Sequence, residues 1–226
     1  MKDFLWGLCL KRLKKWSRSG LLELVKGELS ERNQPIVLSV GGFGPVDRDL
    51  RNHVIHMGGR FVTFDIDPSH SPELLGDIKD ISSILNQAGI IPDVIVALEV
   101  LEHIPNPSQA IDGCYSILPN YGTLILSTPW IIPIHDRPHD YFRFTPAALQ
   151  LFLKDFTKVS IYARGDYQDA IVVLLLRGLF SGGLKGKLIM IFGLILSSFG
   201  RLPSVHKDTD SIDSCIGYVS SAKKII

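Results

Sequence analysis

Four residues of this chain have the types and spacing to bind a nucleoside. Gly41, Gly42 and Gly44 follow a short apolar run, and Asp65 ends the next one. Glycine lets the backbone approach a ligand without a Cβ in the way. A carboxylate about 20 residues beyond such a turn accepts hydrogen bonds from the two hydroxyls of a ribose. Together the four residues predict a nucleotide or nucleoside site.

A second group combines carboxylates with histidines. Glu99, Glu102 and His103 stand at i, i+3 and i+4, a spacing that on a helix places three side chains on one face. His139 follows the next apolar run. A histidine near its free pKa suits the removal of a proton from a hydroxyl, so His103 and His139 are the candidate catalytic residues. His103 could instead be a partly buried histidine that pairs with a carbonyl.

The elements that must position these groups alternate between strands and helices. Apolar, β-branched runs predict the strands, and capped polar stretches predict the helices between them. This alternation predicts a doubly wound α/β domain with a mostly parallel sheet, in which ligands bind outside the carboxyl ends of the strands. The predicted strands are Ile36–Val40, Arg60–Phe64, Asp93–Leu98, Gly122–Ser127, Val159–Tyr162 and Cys215–Ser221, and the predicted helices are Asp47–Met57, Ser108–Leu118 and Pro146–Leu153.

The run from Asp93 to Pro107, DVIVALEVLEHIPNP, carries a resemblance to a known family. It is similar to the fourth-strand motif of the class I S-adenosylmethionine-dependent methyltransferases, in their broad type-11 group. The resemblance extends from about Ile36 to Leu153 and resumes at Gly217–Lys223. The segments that support it are Leu118–Gly122 with Thr123–Pro129, His139–Pro146 and the terminal GYVSSAK.

The resemblance implies a Rossmann-like methyltransferase fold with a seven-stranded sheet and S-adenosyl-L-methionine as the cofactor. It implies that the glycine turn approaches the methionine part of the cofactor, and that Asp65, with Ile66 beside it, holds the ribose. Asp77 and Ile78 would meet the adenine, and Glu99 would close the pocket from the fourth strand. Alternatively, Asp65 could cap a turn and Asp77 could be a loop acid without a ligand.

Phe43 and Pro45 distinguish this site from a dinucleotide site. Proline has no N–H to offer a phosphate, whereas a pyrophosphate needs bare amides at a helix N-terminus. These residues therefore disfavour NAD, and a nucleoside without a phosphate tolerates them. Ser39 stands where the methyltransferase family usually has an acid. That difference favours, as an alternative, a non-catalytic membrane-associated binding module that retains the fold.

The spacing of the carboxylate and histidine group raises a metal alternative. The small-RNA 2′-O-methyltransferases look similar here, with a Glu-x-x-Glu-His run and a later histidine that together bind a divalent metal. The matching residues are Glu99, Glu102, His103 and His139. The chain's 24 basic and 23 acidic side chains nearly cancel, which disfavours a nucleic-acid acceptor. The preferred interpretation assigns no metal and an O-methylated acceptor that is a small molecule, a glycan or a lipid-linked compound.

The 226 residues predict a basic amphipathic helical segment, 1–34, and a methyltransferase domain, 35–226. Within the domain, 168–212 predicts an apolar helical insertion before the last strand, which is either a lid or a membrane-interfacial segment. Its longest uncharged run, Leu188–Gly200, has 13 residues, fewer than the about 20 needed to cross a bilayer. Between Ala170 and Phe199 the only charges are basic, which suits anionic headgroups.

The three cysteines bear on the compartment. Cys9, Cys114 and Cys215 are far apart and form no Cys-x-x-Cys pair. This pattern excludes a disulfide scaffold and a cysteine zinc site, and it fits a reducing compartment. We therefore expect a cytoplasmic protein, with contact to the cytoplasmic face of a membrane left open.

Overall fold

The computed structural model of the chain describes residues 2–177, 183–206 and 214–226. Strands and helices alternate along the chain after two initial helices. The helices are α1 Lys2–Ser17, α2 Leu21–Leu29, α3 Pro45–His56, α4 Ile81–Ala88, α5 Pro107–Ile117, α6 Pro146–Phe152, α7 Tyr167–Arg177 and α8 Gly183–Phe199. The strands are β1 Ile36–Val40, β2 Arg60–Asp65, β3 Leu74–Leu75, β4 Val94–Leu98, β5 Thr123–Pro129, β6 Lys158–Arg164, β7 Val205–His206 and β8 Gly217–Lys223.

The strands form one sheet in the order β3-β2-β1-β4-β5-β8-β6-β7. The neighbours from β3 to β5 run parallel, whereas β8 runs antiparallel to both β5 and β6. The predicted doubly wound, mostly parallel sheet is confirmed. The described residues contain one strand more than the seven predicted, because the two-residue β7 pairs with β6.

The central strands are buried on both faces. In β1, Leu38 and Val40 belong to one apolar core, and Val37 belongs to a second core on the other face. This is why β1 reads as a continuous apolar run without alternation. The chain leaves β1 for β2 and β3 and then crosses back to β4, so the strand order reverses between β1 and β4. A crevice for a ligand opens at such a reversal.

Most predicted elements match the observed ones to about two residues at each end. The sequence reading omitted β3 and α4, since these two elements are short and their apolar periodicity covers few residues. It also did not separate α1 from α2, which are divided at Gly20, a residue with a left-handed φ of 78°.

The first helix and the predicted insertion share a small core. Cys9, Leu13 and Trp16 of α1 lie in one buried cluster with Val173 and Leu176 of α7. Helices α7 and α8 also pack on each other. Of the predicted 168–212 insertion, residues 178–182 and 207–212 lie outside the described part of the chain. Among the described helices, none combines the length and hydropathy of a bilayer-spanning segment.

Candidate functional site

The glycine turn lies at the carboxyl end of β1, as predicted. Gly41 has a left-handed φ of 66°, and its N–H donates to the Phe64 carbonyl of the neighbouring strand at 2.9 Å. A Cβ on Gly41 would lie 2.8 Å from a methyl of Val100, and one on Gly42 would lie 2.0 Å from a carboxylate oxygen of Asp47. The turn therefore has no room for side chains at these two positions.

An acid from α3 reaches the position beside Ser39. The Ser39 hydroxyl donates to Asp47 Oδ1 at 2.8 Å, and the Gly44 N–H donates to Asp47 Oδ2 at 3.3 Å. Asp47 thus caps the first turn of α3, where the helix dipole favours a negative charge. A carboxylate from the next helix thus lies within hydrogen-bond distance of Ser39 on β1.

Asp65 lies at the end of β2 and is only 7% exposed. Its Oδ1 accepts a hydrogen bond from the Asp67 N–H at 2.7 Å, and its Oδ2 is 3.1 Å from His70 Nδ1. The His70 ring stacks on Phe43, with centroids 4.6 Å apart. The side chain of Ile66 is exposed. The structure thus places Asp65 at the glycine turn, with an imidazole on the oxygen that a ligand hydroxyl would need.

Asp77 and Ile78 occupy the loop after β3. The Asp77 carboxylate accepts from the Lys79 N–H at 3.1 Å and pairs with the Lys79 ammonium at 3.2 Å. It therefore caps a short 3₁₀ turn. The side chain of Ile78 is buried in the core beneath the sheet edge.

Glu99 directly follows β4 and has a left-handed φ of 57°. Its Oε1 accepts from the Ser127 hydroxyl at 2.9 Å and from Arg164 Nη2 at 3.0 Å. Arg164 is 1% exposed and lies across Gly217 of β8, where a Cβ would stand 2.5 Å from Nη2. Glu99 is thus held at the cleft wall. The sequence reading missed Arg164, whose only signal was a basic residue beyond a predicted strand end.

The Glu99–His103 run does not form the helical face that its spacing indicated. Only Leu101–His103 is helical, as a single 3₁₀ turn, and Glu99 lies before it, directly after β4. Glu102 lies within the turn and is fully buried, whereas the side chain of Glu99 is 21% exposed and lines the cleft. The i, i+3, i+4 interpretation was therefore wrong.

Glu102 is the most unusual residue of the site. It is 0% exposed, and neither carboxylate oxygen has a hydrogen-bond partner among the described residues. Burial, and then repulsion by Glu99, raises the pKa of Glu102 to about 9. Two imidazole nitrogens face it, because Nε2 of His103 and Nε2 of His135 each lie 3.7 Å from its Oε1.

The other nitrogen of each ring lies close to an oxygen atom. His103 Nδ1 lies 2.5 Å from the His139 carbonyl oxygen, and His135 Nδ1 lies 3.2 Å from Asp140 Oδ2. Arg143 pairs with both oxygens of Asp140 and holds the pKa of that carboxyl well below its usual range. Burial lowers the pKa of His135. These contacts fix the orientation of both rings.

His139 does not join this cluster with its side chain. It is exposed, and its Nδ1 lies 2.8 Å from the hydroxyl of Tyr141. The structure therefore brings His135, rather than His139, to Glu102 and His103. The sequence offered one signal for this, since Asp140 and Arg143 follow closely enough to orient a nearby ring.

A cleft of about 380 Å³ connects the glycine turn to the histidines. Its walls carry two carboxylates and several guanidinium groups, which suits a polar ligand with both charges. Arg177 extends from the end of α7, and burial lowers its pKa. Arg18 reaches the turn itself, because a Cβ on Gly44 would lie 2.7 Å from its Nη1. The polar lining residues are Ser17, Arg18, Glu99, His103, His135, Asp136, Arg164 and Arg177.

Solved structures with this fold are methyltransferases. An S-adenosylmethionine-dependent methyltransferase from Archaeoglobus fulgidus matches with a TM-score of 0.53 and 14% identity, over 90% of this chain and 94% of that one. A putative sarcosine dimethylglycine methyltransferase from Galdieria sulphuraria matches with a TM-score of 0.51 and 17% identity, over 91% and 85%. Haemonchus contortus phosphoethanolamine N-methyltransferase 2, solved with S-adenosyl-L-methionine, matches with a TM-score of 0.53 and 11% identity, over 91% of this chain and 52% of that one. The fold is the Rossmann-like fold of class I methyltransferases.

Curated relatives match by sequence over a shorter segment. Two ubiquinone biosynthesis O-methyltransferases, from Psychrobacter cryohalolentis and Psychrobacter arcticus, are 32% and 33% identical over 96 and 88 residues. The matches cover 35% and 30% of this chain, and the chain spans about a third of each relative, 35% and 34%. No protein-family profile matches the chain.

Proposed function

We propose that this chain is an S-adenosylmethionine-dependent O-methyltransferase. The observation that carries the proposal is the buried Asp65 carboxylate beside the glycine turn at the strand reversal of a methyltransferase fold. In this position its two oxygens suit the vicinal hydroxyls of a ribose. Oxygen is the proposed methyl acceptor because the curated relatives are O-methyltransferases.

The cofactor would lie along the carboxyl edge of β1, β2 and β4. Its methionine part approaches Gly41, and Arg18 is placed to meet the methionine carboxylate. Its ribose binds Asp65 after His70 has moved aside. Its adenine extends to the loop of Asp77 and Ile78. Glu99, held by Arg164, closes the pocket opposite the glycine turn.

Methyl transfer from a sulfonium is an in-line displacement. The acceptor oxygen bonds to the methyl carbon while the sulfur–carbon bond breaks, and its electron pair returns to sulfur to leave a neutral thioether. The hydroxyl proton leaves to a base or to water. Holding the two reactants in line supplies most of the acceleration. His103 lies at the cleft, where a base would be needed, whereas His139 is turned toward Tyr141.

The acceptor is proposed to be amphiphilic, because one face of α8 is apolar and exposed. Leu184, Leu188, Phe192, Ile195 and Phe199 repeat at helical spacing and are 50% to 89% exposed. The opposite face packs inward through Met190 and three small residues, Gly186, Gly193 and Ser197. Basic side chains flank the exposed face, which suits an anionic lipid surface. These are Lys185, Lys187 and Arg201.

Calorimetric titration with S-adenosylhomocysteine tests the cofactor assignment. Wild-type protein should bind it in the micromolar range, and Asp65→Ala should abolish binding because the ribose hydroxyls lose both acceptors. Asp49→Ala, which removes an exposed acid of α3, is the matched control and should bind normally. NADH should not bind. Absence of wild-type binding at millimolar ligand would contradict the proposal and favour a binding module that retains the fold.

Vesicle flotation tests the lipid contact. The protein should float with vesicles containing phosphatidylglycerol and less with pure phosphatidylcholine, since both charge and apolar area contribute. The double variant Phe192→Ser/Phe199→Ser should stay in the soluble fraction. Leu151→Ser, which changes an exposed apolar residue of α6, should float as wild type does. Wild-type protein that remains soluble with anionic vesicles would refute the lipid contact.

A further inference from the structure

We propose that Glu102, His103 and His135 bind a divalent transition-metal ion at the acceptor end of the cleft. One ligand atom from each residue lies within 4.8 Å of the other two. His103 and His135 line the cleft, and the buried Glu102 lies 3.7 Å from a ring nitrogen of each. Two imidazoles and one carboxylate are a ligand set that proteins use for zinc and other first-row metals.

The distances match a site that closes slightly on an ion. Each imidazole Nε2 lies 3.7 Å from Glu102 Oε1. Ligands at about 2.1 Å from a tetrahedral zinc stand about 3.4 Å apart. A contraction of a few tenths of an ångström on these two edges would bring them to that spacing, and the two ring nitrogens, which lie within 4.8 Å of each other, would approach by up to about 1.4 Å.

Both rings are oriented for metal binding. Histidines that bind a metal through one nitrogen usually donate the other N–H to a carbonyl or a carboxylate. Here His103 Nδ1 meets the His139 carbonyl. His135 Nδ1 lies 3.2 Å from Asp140 Oδ2 without forming a hydrogen bond, and the His135 backbone N–H donates to that oxygen at 2.9 Å. Asp140 is in turn fixed by Arg143. The Nε2 of each ring faces Glu102, and Asp136 Oδ2 lies 4.0 Å from that of His135.

The burial of Glu102 without a hydrogen-bond partner favours a cation beside it. A fully buried carboxylate without a hydrogen-bond partner is costly unless it is neutralised or paired. The nearest charged partner groups, Arg143 and Arg164, are engaged by Asp140 and Glu99. A divalent ion between Glu102 and the two imidazoles would supply the missing positive charge.

This ligand set differs from the one that the sequence spacing indicated. Glu99 is held by Ser127 and Arg164, and His139 is turned toward Tyr141. Neither is available where Glu102 lies. His135 takes the place of the later histidine because the loop after β5 folds back over Glu102, with the Tyr141 N–H donating to the Glu102 carbonyl at 2.9 Å.

The ion's open position would face the cleft, where the acceptor enters. This part of the inference rests on the proposed function. Coordination lowers the pKa of a bound hydroxyl, so the acceptor would lose its proton to water and attack the methyl group as an alkoxide. A metal-bound imidazole is not a free base. His103 would then position the ion and would not itself take the proton.

Titration of the chelator-treated full chain with Co²⁺ alone tests the site. Wild-type protein should bind one ion with the visible absorption of a nitrogen- and oxygen-ligated cobalt. His135→Ala and Glu102→Gln should weaken binding by about 100-fold or more, beyond the roughly 10- to 100-fold typical of outer partners. His139→Ala is the matched control and should bind as wild type does, because its backbone carbonyl is retained. Circular dichroism and thermal melting verify that each variant is folded, and His103→Ala replaces any variant that is not.

Three results would overturn the inference: no Co²⁺ binding by wild-type protein, equal binding by His135→Ala, or loss of binding in His139→Ala alone. The same samples are titrated with S-adenosylhomocysteine. Cofactor binding without Co²⁺ binding overturns the metal site and leaves the proposed function standing. Co²⁺ binding without cofactor binding does the reverse.

Discussion

Two buried carboxylates at the carboxyl edge of the sheet, Asp65 and Glu102, differ in their hydrogen-bond partners. At the end of β2, both oxygens of Asp65 have partners within 3.1 Å. After β4, Glu102 is more deeply buried, and neither of its oxygens has a hydrogen-bond partner among the described residues. The environments of these two acids at the same sheet edge therefore suit different ligands. Asp65 has partners that hydroxyl groups can replace, whereas Glu102 must hold a proton or pair with a cation.

The backbone after each strand explains the difference. After β2 the chain turns so that the Asp67 N–H and the His70 ring come back onto Asp65. After β4 a 3₁₀ turn carries Glu102 inward, and two imidazole nitrogens lie 3.7 Å from its Oε1. A local N–H donates to the first carboxylate, whereas no group among the described residues forms a well-aligned hydrogen bond with the second.

The largest effect is expected when Arg164 is removed. Its guanidinium pairs with Glu99, so that Glu99, like Asp65, has a partner. Arg164→Met should lower the free energy of unfolding by about 3 kcal/mol, because it leaves a part-buried carboxylate without its cation. Urea denaturation measures the change. Lys158→Met, at the exposed start of the same strand, should change stability by less than about 0.5 kcal/mol. Equal stability of the two variants would contradict the role of the ion pair.

A smaller effect is expected at the β2 end. His70→Ala should tighten binding of S-adenosylhomocysteine about tenfold, because the ribose no longer competes with the imidazole for Asp65 Oδ2. Calorimetry measures the affinity, with His56→Ala at the end of α3 as the control. Weaker binding by His70→Ala would mean that the ring contacts the ligand and does not compete with it.

The smallest effect is expected for Glu102→Gln in the presence of a chelator. Replacing an unpaired buried carboxylate by a neutral amide of the same shape should raise the free energy of unfolding by about 1 kcal/mol. Excess Zn²⁺ should reverse the order, because an ion that binds only the folded wild-type protein stabilises it by about 2.7 kcal/mol at 100 times its dissociation constant. If Glu102→Gln is less stable than wild type without metal, the buried carboxylate of Glu102 does not lower stability, and the difference from Asp65 is contradicted.

Much of the fold followed from local patterns. The apolar runs at Ile36–Val40 and Val94–Leu98 are strands because both faces of a central parallel strand are buried. The glycine turn and Asp65 were placed at one edge because parallel strands share their carboxyl ends. The burial of a strand and the periodicity of its apolar residues depend on the local sequence, so both can be predicted from it.

Contacts between distant segments were decided by the tertiary structure. The spacing of Glu99, Glu102 and His103 fitted a helix, but the chain forms only a 3₁₀ turn there, because β4 and the loop after β5 constrain it. The choice of His135 over His139 depends on the path of that loop, which Arg143 and Asp140 help to fix. The sequence by itself therefore determined the fold and the edge at which ligands bind. Which side chains meet there depended on packing between segments far apart in the chain, and spacing alone does not encode it.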